Sequence, residues 1–111
     1  MIVDTDWLLV DQHAIALVNA GAWTANLSAA VSNDIDELLW RHGYRMQVGY
    51  VATPTVRKLA TNYALRALFQ SCVGIRDAEA DAVYIDLARR YDSEFFACMR
   101  TLTYTSIVGD E

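Results

Sequence analysis

The side chains able to do chemistry in this 111-residue chain are chiefly two cysteines, two histidines and fourteen acids, and their spacing limits what they can do. Cys72, Cys98, His13 and His42 make a conceivable four-ligand zinc set. Structural zinc sites usually draw their ligands in close pairs so that a short loop fixes two at once, and none of these four is paired that way. The expectation is two buried thiols near the ends of a helical hairpin and two unrelated imidazoles. Asp4 with Asp6, and Asp34 with Asp36 and Glu37, are the tight acidic groups outside the last helical stretch. Paired carboxylates suit acid–base work or a hard cation. Residues two apart on a helix, however, point about 160° from each other, so Asp34 and Asp36 share no ligand and a solvated face is expected. Ser28, Ser32, Ser71, Ser93 and Ser106 lack the strand–turn–helix glycine setting of a nucleophile elbow, and no Gly-rich phosphate loop is present. Neither an enzyme nor a metal or other cofactor is expected.

The basic residues read differently. Arg57, Lys58 and Arg66 fall within residues 54–74, which carry a net +3, whereas residues 1–53 and 75–111 each carry −4, for a total of −5. Asp86, Asp92 and Glu94 interleave with Arg89 and Arg90. Ion pairing within the bundle or between subunits is expected at Arg57, Lys58 and Arg66 in preference to phosphate contact. A chain this acidic lacks the Lys and Arg surplus of a free-standing nucleic-acid binder.

These groups must be positioned by helices. The stretch TPTVRKLATNYALRALFQSCVG, from Thr53 to Gly74, holds the strongest punctuation in the chain. Thr53 is placed to accept from an orphan amide of the first turn, Pro54 sits where its missing donor costs nothing, and Gly74 supplies a left-handed stop. Val56, Leu59, Ala60, Tyr63, Ala67 and Cys72 recur at helical steps, widened by Leu65, Leu68 and Phe69. That pattern predicts the central helix of a small bundle. Asp77 caps a last helix whose stripe runs through Ala80, Val83, Tyr84, Leu87, Tyr91, Phe95, Cys98, Met99 and Leu102. The short connection at Ile75-Arg76 predicts that these two helices pack as a long antiparallel hairpin.

Earlier in the chain, Trp7, Val10, Ala14, Leu17 and Val18 predict a helix from Trp7 to about Ala20, with Thr5 or Asp6 as cap, although Trp7-Leu8-Leu9-Val10 also suits a buried strand. Thr24 or Asn26 caps a further helix with Leu27, Val31, Ile35, Leu38 and Leu39 inward, ended by His42-Gly43. Between that stop and Pro54 the period becomes two: Tyr44, Met46, Val48 and Tyr50 alternate with Arg45, Gln47 and Gly49, as in a strand or extended arm at about residues 44–52. The tail, about residues 102–111, is again extended in character and apolar at Leu102, Tyr104, Ile107 and Val108. Lone strands must find backbone partners, and aromatics such as Tyr44, Tyr50 and Tyr104 often anchor protein contacts. The expectation is one domain, a mainly α bundle of about four helices with an extended arm and a C-terminal tail. Two cysteines do not make a secreted disulfide scaffold, no leader opens the chain and no run reaches the roughly 20 apolar residues of a membrane span, so a cytoplasmic product without a membrane partner is expected.

The order of parts resembles the small head-to-tail adaptor (connector) proteins of long-tailed bacteriophages. It is carried by the helix ending SNDIDELLWRHGYR, the proline-started ATPTVRKLATNYALRAL, and the long DAEADAVYIDLARRYDSEFFACMRTL followed by an extended tail, together spanning roughly residues 24–104. The resemblance implies a virion neck protein, assembled in the host cytoplasm into a ring, usually of twelve copies, beneath the portal. It implies the portal protein, copies of itself and the next neck or stopper protein as partners. The arm (Tyr44, Met46, Val48, Tyr50) would join neighbouring subunits, and the tail (Leu102, Tyr104, Ile107, Val108) would engage the portal. The acidic balance suits a conduit that DNA passes through without specific binding. The residues also allow a second reading, a small helical regulatory module that docks one partner through its apolar tail.

Overall fold

The computed structural model describes residues 3–41, 53–75 and 77–102, and over these the protein is all-helical. A 3-10 turn at Thr5–Leu8 leads into α1 (Gln12–Asn19), α2 (Ala25–Arg41), α3 (Pro54–Ser71) and α4 (Ala78–Thr101). There is no strand among the described residues. The alternating segment 44–52 with Tyr44, Met46, Val48 and Tyr50, and the tail positions Tyr104, Ile107 and Val108, lie outside them.

α3 is the hub: it packs against α4, α2, α1 and the N-terminal turn, and α4 packs on it most extensively. Its cap is the expected one, with the Thr53 hydroxyl accepting from the Val56 amide at 3.3 Å. Val56, Leu59, Ala60, Ala64, Leu65, Leu68 and Phe69 are buried, as a helix enclosed on several sides requires. The helix ends at Ser71, and Gly74, at φ +87°, turns the chain. A side chain disfavours that backbone region, which is why a glycine stands there. The Gly74 amide then donates to the Asp81 carboxylate in the first turn of α4 (2.9 Å), while Asp77 accepts from the Ala80 amide (2.9 Å). Two acids thus fasten the hairpin at the positive end of α4.

The hairpin is antiparallel. Asn62 lies beside Cys98, Arg66 beside Asp92, and Phe69 stacks on both Tyr84 and Tyr91 at centroid distances of 6.0 and 5.8 Å. α4 has 24 residues, about 36 Å of helix, and buries Tyr84, Ala88, Tyr91, Phe95 and Cys98.

The N-terminal region differs from its periodicity. In place of one helix from Trp7 to Ala20, the chain makes the 3-10 turn, breaks at Leu9-Val10, and restarts at Asp11. Asp4 caps the turn by accepting from the Asp6 amide (3.1 Å), and Asp11 caps α1 by accepting from the Ala14 amide (2.8 Å). A carboxylate that can bind its own downstream amides favours a helix start over a helix interior. The break leaves Leu8 fully buried but Val10 59% exposed, so Val10 does not join the inward stripe. Thr24, rather than Asn26, caps α2, accepting from the Leu27 amide (3.1 Å).

Candidate functional site

Three arrangements among the described residues bring polar and charged groups together. The largest is an open groove of about 610 Å³ bounded by the N-terminal turn, α3 and α4. Trp7, Val10 and Leu65 give it apolar surface, and Arg57, Lys58 and Arg90 face Asp11 and Glu94 around it. The Arg57 guanidinium lies over the Trp7 ring, 5.3 Å from its centroid. Such stacking keeps the charge hydrated on one side while its stem covers the indole.

At the edge of this groove the Tyr91 hydroxyl donates to the Asp11 carboxylate at 2.5 Å, joining residues 80 apart in sequence. Burial, reinforced by the hydrogen bond to Asp11 and by its negative charge, pushes Tyr91 up to about 12. Burial alone would raise Asp11, but the hydrogen bonds from Tyr91 and from the Ala14 and His13 amides outweigh it and hold the carboxyl below its ordinary value. A phenol displaced upward in this way stays protonated at neutral pH and acts neither as base nor as nucleophile. The pair fastens the start of α1 to α4.

The second arrangement surrounds Arg66. Its guanidinium contacts the Asp92 carboxylate at 2.6 Å and lies 4.5 Å from the Tyr63 ring centroid and 5.6 Å from that of Phe95. Its Nε is buried without a hydrogen-bond partner among the described residues. Tyr63 in turn donates to Asp34 on α2 at 2.9 Å. Its hydroxyl is shifted upward, first by burial and then by Asp34, against the opposing charge of Arg66. Asp34, Tyr63, Arg66 and Asp92 therefore link α2, α3 and α4 in one chain of polar contacts. The third arrangement is small: the buried Asn62 donates to the Cys98 sulfur at 3.6 Å across the hairpin.

Of the three basic residues expected to form ion pairs, Arg66 is engaged inside its own chain, Arg57 rests on Trp7, and Lys58 is exposed on the groove. Leu102, the first residue of the expected tail, is half-buried against the core and terminates α4. Tyr44, Met46, Val48, Tyr50, Tyr104, Ile107 and Val108 fall outside the described residues, as does His42. Cys72 and Cys98 are both free and buried. Cys72 lies beside Leu17 and Tyr84 at the closed end of the hairpin, and Cys98 lies near its open end. Among the described residues no three His, Cys, Asp or Glu side chains gather as a metal-binding group. No helix among them is long and apolar enough to cross a membrane.

Asp11 and Asn62 were not expected as contact-forming residues, whereas Asp92 stood among the acids expected near the basic residues and pairs with Arg66. Only Asp11 carried a local signal, an acid three residues before Ala14 at the start of an apolar run. Comparison of the chain with protein-family models, with curated proteins and with solved structures returns no match.

Proposed function

We propose that this protein is a structural head-to-tail adaptor of a tailed phage, a neck component that forms a ring under the portal and continues the DNA channel. The observation that carries the reading is topological. Because α3 and α4 run antiparallel, Thr53, where the chain enters α3, and Leu102, where it leaves α4, lie at the same end of the bundle. The segment before Thr53 and the segment after Leu102 therefore attach at one pole of the helical body. That is the layout an adaptor needs to present two contact elements in one direction. The mixed-charge grooves support the same class of role, since they combine apolar surface with opposed charges. The partners in this reading are the portal protein, sister subunits and the next neck protein, with DNA passing unbound.

The test is native mass spectrometry or sedimentation of the protein mixed with purified portal. A stoichiometric heavy complex, lost when residues 103–111 are removed, is the expected result. Full-length protein that leaves the portal's mass unchanged would exclude the adaptor role.

A further inference from the structure

We propose that α4 carries a self-complementary face that binds a second copy of this chain, antiparallel, about a two-fold axis between Arg90 and Tyr91. The inference does not depend on the adaptor reading.

α4 has two stripes with the same alternating three- and four-residue spacing, offset by one residue. Tyr84, Ala88, Tyr91, Phe95 and Cys98 are buried against α3. Ala82, Ile85, Arg89, Asp92, Phe96 and Met99 form the other, rotated about 100° around the helix. α4 makes its helix–helix contacts with α3; on this second stripe Ala82, Ile85, Arg89 and Phe96 are exposed, while Asp92 and Met99 at its inner edge are half-buried. Phe96 is 54% exposed and Ile85 37%. Beside it Gln70 of α3 and the exposed Val73 in the turn after α3, together with Ile85, Arg89 and Asp92, line a groove of about 430 Å³.

The order of residues along the stripe identifies the occupant. Laid antiparallel against itself, the stripe places Ala82 opposite Met99, Ile85 opposite Phe96 and Arg89 opposite Asp92, and two-fold symmetry repeats each pairing. Small meets large, aliphatic meets aromatic, and base meets acid. A partner of unrelated sequence would have to reproduce all three matches, whereas a second copy supplies them by symmetry. The charged pair is available. Arg89 has no ion-pair partner among the described residues, and Arg66 uses only Oδ1 of Asp92, leaving Oδ2 for an incoming guanidinium. The contact runs from residue 82 to residue 99, about 26 Å of helix, which is short for a stable interface. A reversible dimer is the form this contact would take. The interface is isologous, so it closes at two copies.

Sedimentation velocity of the full chain across the micromolar range is the test, and portal is not needed for it. Wild type should show a monomer–dimer equilibrium. R89D sets like charges opposite each other twice, as does D92R, and each should weaken the dimer at least ~10-fold. Mixed in equal amounts they should recover it, because one chain then carries acids at positions 89 and 92 and the other carries bases. F96S should weaken the dimer while leaving helicity unchanged. A wild type that stays monomeric at the highest concentration, a dimer indifferent to R89D and F96S, or a mixture no better than its components would overturn the proposal. Should D92R fail to fold without its contact to Arg66, the responses of R89D and F96S decide alone.

Discussion

Replacing Tyr91 by Phe removes one hydroxyl and little else, because the ring keeps its stack on Phe69 at 5.8 Å and 9°. What is lost is the hydrogen bond to Asp11, a charged acceptor that also caps α1. Hydrogen bonds to charged groups contribute about 1.5–3 kcal/mol, and here the carboxylate keeps its amide donors. A loss of about 2 kcal/mol is therefore expected for Tyr91→Phe at pH 7. For a domain of this size that lowers the midpoint of thermal unfolding by about 8 °C. The sign of the pH dependence follows from both partners. Asp11 is held below its ordinary value, so its contribution is complete above the unfolded carboxylate pKa, near 3.9, and is lost as pH falls through the lower folded value. Tyr91 is raised to about 12, so its contribution is complete below the unfolded phenol pKa of about 10 and is lost as pH rises through the folded one. The variant should therefore be least stable relative to wild type between these limits, with the gap narrowing on both sides. Urea unfolding followed by circular dichroism at pH 2.5, 7 and 11 measures it, and a cycle with D11N isolates the coupling. Equal stability of Y91F and wild type at pH 7, or a penalty unchanged at pH 2.5, would refute the reasoning.

Other consequences are simpler to measure. Thr53→Ala removes the cap of α3 and should cost about 1 kcal/mol in denaturant unfolding, with Thr53→Asp recovering most of it. Phe69→Ala empties the stacking position between Tyr84 and Tyr91 and should cost about 3–5 kcal/mol, read as a large fall in melting temperature. Removing residues 103–111 should leave the helical melt nearly unchanged, because Leu102, the last described residue packed on the core, is retained. Cys72 and Cys98 should react with a thiol reagent slowly in the folded protein and rapidly in denaturant, with no disulfide within the chain, because they sit about ten residues apart along the hairpin axis, roughly 15 Å.

Much of the fold was legible because its determinants are local. Thr53-Pro54 and Asp77 declare helix starts through side chains that bind amides a few residues away, and Gly74 declares a stop through its own backbone freedom. The stripes of α2, α3 and α4 announce their inward faces because a helix repeats every 3.6 residues whatever it packs against. The short link between α3 and α4 left little but an antiparallel hairpin. These features assigned the chain to the small helical bundles before any coordinate was known.

The contacts between helices had no such local signature. Asp11 meets Tyr91, Arg66 meets Asp92 and Tyr63 meets Asp34 across 80, 26 and 29 residues, so each depends on how helices cross. The same packing turned Arg66 toward its own chain and took in Asn62, which composition would have left outside. It also decided that α4 packs chiefly on α3, leaving Ile85 and Phe96 exposed although their spacing matches that of the buried stripe. Periodicity shows that a helix has an apolar face; which face is covered depends on the position of its neighbours, and only the tertiary structure fixes that.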